Sequence, residues 1–263
     1  MRRRDDPTTK GWNGYSKNER RDFKYLTPKI RIAENDLSPE LLSSKSFHMV
    51  CSQERAIDLV NGILSRRKES CPKLDIPIFI YEPSPDCAVP NALEETMATI
   101  QYVDVLSPNH SELAHLFNRG DEVHEGGFKA SVVEECTQRL LDYATQHARS
   151  LSVIVRSGKE GCYIASNDST ETRAWLPPYH QDQVKVVDPT GGGNGFLGGF
   201  GVGLVRTGSI TEATAWGSIS ASFCIEQVGI PVLGHDTEGL ETWNDANPQQ
   251  RLADWKKRIH RKI

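Results

Sequence analysis

The chain contains no apolar run approaching the roughly 18 residues that a membrane span requires. Its N-terminus, MRRRDDPTTKGWNGY, carries basic residues but no apolar core, so it does not read as a secretory signal. Charge of neither sign dominates. The 31 Lys and Arg against 35 Asp and Glu leave a net charge of −4, and no broad attraction to nucleic acid or membrane is expected. The six cysteines, at 51, 71, 87, 136, 162 and 224, form no C-x-x-C pair and read as reduced thiols of a cytoplasmic protein. There is no internal repeat and no low-complexity tract. What remains is a 263-residue chain, 37% hydrophobic, long enough for one sizeable domain or two small ones.

Residues 1–45 are polar and irregular, with two possible strands at 8–15 and 23–32. From residue 46 the pattern becomes regular. Short apolar runs at 47–51, 76–80, 103–106, 151–155 and 162–165 predict strands. Apolar residues at helical spacing around Ala56–Leu64, Leu93–Ile100 and 112–117, and a longer amphipathic stretch over 132–148, predict helices. Strands alternating with helices argue for a mostly parallel sheet covered on both faces. Two consecutive helices are expected at 196–205 and 213–228, and an amphipathic terminal helix at 248–263.

Residues 188–200, DPTGGGNGFLGGF, are the densest glycine cluster. The apolar stretch 184–187 before them reads as a strand that Asp188, Pro189 and Thr190 terminate in a turn. Gly191, Gly192, Gly193 and Asn194 then open a helix, whose unpaired N–H groups and partial positive charge suit an anion. The helix continues through Gly195, Gly198, Gly199, Gly201 and Gly203. Each glycine costs about 1 kcal/mol against alanine. The sequence sustains that cost if the helix is buried among close neighbours, with Phe196, Leu197, Phe200 and Leu204 on the core side. A flexible linker would not be flanked by apolar elements. A Walker A loop is excluded by its missing lysine, and a dinucleotide fingerprint fits poorly so late in the chain.

The stretch resembles the C-terminal signature of the pfkB/ribokinase family of carbohydrate kinases, in which an Asp-x-Thr-Gly-x-Gly-Asp segment forms an anion hole ending in a catalytic aspartate. Two other stretches match in order. VDVLSPNHSEL at 103–113 is similar to the family's Asn-x-x-Glu motif, which implies that Asn109 and Glu112 lie near magnesium and phosphate. VIVRSGKEG at 153–161 is similar to the segment beside the nucleotide. Residues 213–229 resemble the helix that lines the adenine pocket. The resemblance implies a ribokinase-like three-layer α/β/α sandwich over 46–263, preceded by a partial N-terminal segment, 1–45. It implies nucleotide contacts at Gly158, Asp188 and Thr190, an anion hole at Gly191, Gly192 and Gly193, and ATP with magnesium as cofactors. A monovalent cation near Asp188 and Thr190 is a further implication, against plain turn chemistry.

Two departures stand out. Asn194 occupies the catalytic aspartate's position, and an amide can hold a hydroxyl but cannot take its proton. No Gly-Gly-Asn sugar-binding segment or lid lies upstream of residue 47, so the N-terminal strands and lid are expected to be missing, by truncation or divergence. Together with TTKGWNGY at 8–15 and FKYLTPK at 23–29, the DPTGGGN loop resembles the fungal maintenance-of-killer kinase-like branch, linked to stability of double-stranded RNA virus particles. The expectation is a carbohydrate kinase homologue, ATP-dependent toward a sugar-like alcohol, weak or inactive through Asn194. The alternative is a non-enzymatic nucleotide-binding scaffold with a protein or RNA-particle partner. Three other features stay open. His110, Glu112 and His115 lack the zincin order. Glu82 is either functional at a strand end or an exposed loop acid. The basic run 256–262 is either a contact surface or a solvated helix.

Overall fold

The computed structural model describes residues 8–15, 21–124, 127–168, 170 and 173–260. An antiparallel hairpin of β1 (Gly11–Tyr15) and β2 (Arg21–Tyr25) comes first. The second strand ends at Tyr25, so the expected strand over 23–32 does not continue. A short α1 (Pro39–Leu42), capped by the Ser38 hydroxyl, leads into β3 (Ser46–Cys51). Then follow α2 (Gln53–Ser70), β4 (Ile78–Pro83), α3 (Leu93–Ile100), β5 (Val105–Leu106), α4 (His110–Leu116), α5 (Gly120–His124) and α6 (Ala130–Gln146). The second half holds β6 (Ser152–Arg156), β7 (Cys162–Ser166), β8 (Ala174–Leu176), α7 (Gly192–Thr207), α8 (Ile210–Cys224), β9 (Leu233–His235), β10 (Glu241–Trp243) and α9 (Pro248–His260). Arg261 and Lys262 of the basic run lie outside the described residues.

The central sheet has the order β3-β4-β5-β6-β7-β8, parallel from β3 to β6 and antiparallel thereafter. Its strands are apolar on both faces, as a covered sheet demands. Alternation divides them: Phe79 and Tyr81 of β4 and Val153 and Val155 of β6 join α2, α3, α4 and α6 in one core. Ile80 and Ile154 point the other way, into a second core with α7, α8 and α9. The result is the expected α/β/α sandwich.

Helix α7 explains its own glycines. A Cβ on Gly199 would lie 2.6 Å from the Ser220 Cβ and 2.7 Å from the Trp216 carbonyl, and one on Gly195 would lie 2.6 Å from the Cys224 sulfur. With Gly203 against Ala213 and Trp216, these positions repeat every four residues, so one side of α7 seats directly on α8. Phe196, Leu197, Phe200 and Leu204 are buried on the core side, as the sequence indicates.

The segment before the loop corrects the sequence reading. Residues Gln183–Lys185 form a single 3-10 turn rather than a strand, and Val184 and Val187 are 85% and 58% exposed. The Asp182 carboxylate accepts from the Val184 N–H, and the N–H groups of Val187 and Asp188 both reach the Ile225 carbonyl at the end of α8. Turn capping and that anchor override the β-propensity of the valines.

Candidate active site

The parallel strands end together at Cys51, Pro83, Leu106 and Arg156, and the N-termini of α4 and α7 converge on that edge, where α/β sheets place ligands. The glycine loop is pinned by a turn in which the Asp188 carboxylate accepts from the Thr190 N–H at 2.9 Å. This hydrogen bonding holds the Asp188 carboxyl below its ordinary value. Gly191 caps α7 at φ +85°, a left-handed conformation that glycine adopts without strain. The Gly192 N–H reaches the Pro189 carbonyl and the Gly195 N–H the Gly191 carbonyl. Those of Gly193 and Asn194 have no acceptor among the described residues. The Asn194 side chain is exposed.

At the start of α4, Asn109 and Glu112 form a capping box. The Asn109 Oδ1 accepts from the Glu112 N–H and the Glu112 Oε2 accepts from the Asn109 N–H, each at 2.8 Å. Glu112 is thereby buried yet positioned at the edge of the site. A magnesium ion is commonly held by one or two carboxylates, with water and substrate phosphate completing its shell. One fixed carboxylate at the anion-binding end fits a metal that arrives with phosphate. Among the described residues, no group of three or more His, Cys, Asp or Glu is placed to hold a metal alone.

Arg156, the last residue of β6, occupies the space between these two helix ends. Its Nη2 donates to the Glu82 Oε1 at 2.6 Å and to the Ser107 carbonyl at 2.9 Å, and lies 3.9 Å from the Glu112 Oε2. The other oxygen of Glu82 sits 3.0 Å from His48 Nε2. Glu82 is thus a buried ion-pair member, not an exposed loop acid. Burial pushes its pKa up, but the charges and hydrogen bonds of Arg156 and His48 outweigh that and hold it below the ordinary value. A carboxylate held in this way is a weak base.

A cleft of about 600 Å³ runs from this cluster to α8. Asn109, Glu112, Gly158, Gly192 and Gly193 line it, so the structure gathers five of the sequence-predicted residues around one cavity. Asp188, Thr190, Gly191 and Asn194 sit on the loop beside it and do not form its wall. The far end is lined by Phe196, Ser218, Ala221, Ser222 and Ile225, from the two helices that the sequence marks, and by Tyr179 and His180. His180 is buried, 3.0 Å from Glu226, and Arg251 pairs with that same carboxylate at 2.6 Å. Two cations, Arg156 and Lys159, and three histidines face the cleft against one carboxylate, Glu112. Sequence reasoning missed Arg156 and His180. The signal for Arg156 was present, a basic residue ending an apolar strand just before a glycine turn. His180 has no comparable local signature.

Residues 62–231 match the pfkB family of carbohydrate kinases. The protein MAK32 of Saccharomyces cerevisiae is 34% identical over 93% of this chain and 68% of its own length. An uncharacterised protein of Schizosaccharomyces pombe is 29% identical over 94% of this chain and 70% of its own length. Among solved structures, the ribokinase of Giardia lamblia superposes with a TM-score of 0.61 at 16% identity, over 96% of this chain and 72% of that one. The Arabidopsis thaliana ribokinase complexed with ribose and ATP does so with a TM-score of 0.56 at 17% identity, over 86% of this chain. The present chain spans 65% of that kinase. At such identities the solved structures establish the ribokinase-like fold, and the family match and the yeast relative establish kinship. The chain therefore belongs to the pfkB family of carbohydrate kinases.

Proposed function

We propose that this protein binds a nucleotide through the phosphates at the α7 N-terminus, and that its phosphoryl transfer to a sugar-like alcohol is weak or absent. The observation that carries the reading is Asn194, an exposed amide on a loop whose Gly193 and Asn194 N–H groups have no acceptor among the described residues, beside a cleft lined by Arg156 and Lys159. Phosphoryl transfer needs positioning, charge neutralisation and a group to receive the hydroxyl proton. The loop, Arg156 and Lys159 supply the first two, and Asn109 and Glu112 would hold magnesium against the phosphates. That metal would add charge neutralisation. Asn194 can orient a hydroxyl through its amide but leaves the proton in place, and Glu82 is committed to its ion pair. Gly158 and the α8 wall would contact the nucleoside, while Asp188 and Thr190 shape the loop and offer a place for a monovalent cation.

The test is titration calorimetry with Mg-ATP, followed by turnover assays over a panel of sugars, polyols and nucleosides. The expected results are ATP binding with little or no turnover. Asn194→Asp, in this chain and in one extended upstream to the length of its relatives, should raise the rate by roughly 10²-fold or more if proton removal is the defect. Robust turnover by the unaltered chain overturns the reading. A scaffold role is the second reading. The run Val228, Ile230, Val232 and Leu233, exposed by 78%, 87%, 67% and 53%, favours a protein partner. ATP binding without turnover from either form would support it.

A further inference from the structure

We infer that Arg156 is the phosphate clamp of this cleft, a guanidinium parked on Glu82 that takes the terminal phosphate of the bound nucleotide. The inference rests on the nucleotide-binding reading above and assigns a residue that lies outside the glycine loop.

Three observations converge. The first is position. Arg156 ends β6, is bridged to Asn109 through the backbone, and so enters the site from a rigid strand rather than a loop. The second is contact with the anion site itself. Its Nη1 packs directly against Gly193, so closely that any Cβ there would collide with it. A side chain at 193 would have to displace the guanidinium from its place beside the loop. An anion accepting from the Gly193 and Asn194 N–H groups would lie beside the guanidinium. The third is unfinished hydrogen bonding. Nη2 is satisfied by Glu82 and Ser107, but Nε is buried without a partner, and Nη1 has no acceptor among the described residues. A guanidinium carries five donors in a fixed fork suited to phosphate, and buried donors are normally satisfied.

Arginine and carboxylate frequently pair through two parallel hydrogen bonds. Glu82 gives only one oxygen to Arg156 and turns the other to His48. That arrangement anchors one nitrogen and leaves the side of the fork facing the glycine loop for another oxyanion. The Glu112 Oε2, 3.9 Å from Nη2, adds its charge at a distance too long for a hydrogen bond.

The experiment is calorimetric titration of the full chain with ATP, AMP and inorganic pyrophosphate. It compares the unaltered protein with Arg156→Lys, which keeps a positive charge for Glu82, and with the double variant Arg156→Gln/Glu82→Gln, which removes the pair together. Circular dichroism and cooperative unfolding confirm that each is folded. The expected result is ATP and pyrophosphate binding weakened by about 10- to 100-fold, the weight of a charge-assisted hydrogen bond, with AMP binding nearly unchanged. A folded variant that binds ATP as the unaltered protein does overturns the clamp and leaves the nucleotide reading intact. Equal losses for AMP and ATP also overturn it, since they report a distorted cleft. Pyrophosphate binding that depends on Arg156, in a protein that binds no ATP, keeps the clamp and overturns the nucleotide reading.

Discussion

Glu112 carries two obligations that a single substitution can separate. Its carboxylate closes the α4 capping box, and its charge faces the phosphate end of the cleft. Glutamine serves a capping box as well as glutamate does, because its carbonyl oxygen reaches the same N–H. Glu112→Gln should therefore leave the ligand-free melting temperature within about 2–4 °C of the unaltered protein, the equivalent of about 1 kcal/mol or less. It should also reduce the extra thermal stabilisation that magnesium adds to ATP. Thermal melts with ATP, with and without magnesium, measure both effects. Collapse of the ligand-free protein would make Glu112 a structural residue only. Asn109→Ala tests the reciprocal half of the box and should cost about 1 kcal/mol through loss of the cap alone.

Helix α7 shows how an unfavourable helix sequence becomes the required one. Each glycine lowers the helix's intrinsic stability, but those at 195, 199 and 203 admit α8 to within direct contact. Gly198 belongs to the same run yet faces open space, where an added Cβ would meet nothing within 4 Å. The two kinds of glycine should respond oppositely to alanine. Gly198→Ala should stabilise the protein by about 0.5–1 kcal/mol through propensity. Gly199→Ala gains the same propensity but forces α7 and α8 apart, and overpacking of this kind costs about 1–3 kcal/mol. Urea unfolding should place the midpoint of the first above, and of the second below, that of the unaltered protein. Equal shifts would mean that the two helices are not seated together as described.

Across the whole molecule, the sheet keeps two cores apart and leaves one edge, at the ends of its parallel strands, for the site. Among the described residues, no helix is long and apolar enough to cross a membrane. Acid should loosen this arrangement from the α8 side of the cleft first. Burial holds the folded His180 below its ordinary pKa of 6.5, so the folded protein binds that proton less readily than the unfolded chain. Its contribution is complete above pH about 6.5 and declines as the pH falls from there toward the folded value. Glu82, also held low, adds a loss at the more acidic pH of carboxylate titration. Melting temperatures from pH 8 to 5 should fall for the unaltered protein and fall less for His180→Gln. Parallel profiles for the two proteins would assign the decline elsewhere.

The sequence determined the alternation of strands and helices, the two-faced sheet and the buried glycine helix, because periodicity and composition are local and survive without coordinates. The family resemblance of three motifs also marked Asn109, Glu112, Gly158, Gly192 and Gly193, which line the cleft, and Asp188, Thr190, Gly191 and Asn194, which lie beside it. The misread strand at 184–187 marks the limit of local pattern. Four residues with three valines have the propensity of a strand, but only the tertiary structure decides whether a sheet edge is available to pair with them. The same holds for Arg156 and Glu82, which are 74 residues apart in the chain and 2.6 Å apart in space. Nothing local requires that pair. It exists because parallel strands β4 and β6 end at the same edge, and a charge carried to that edge must find a counter-charge or a ligand.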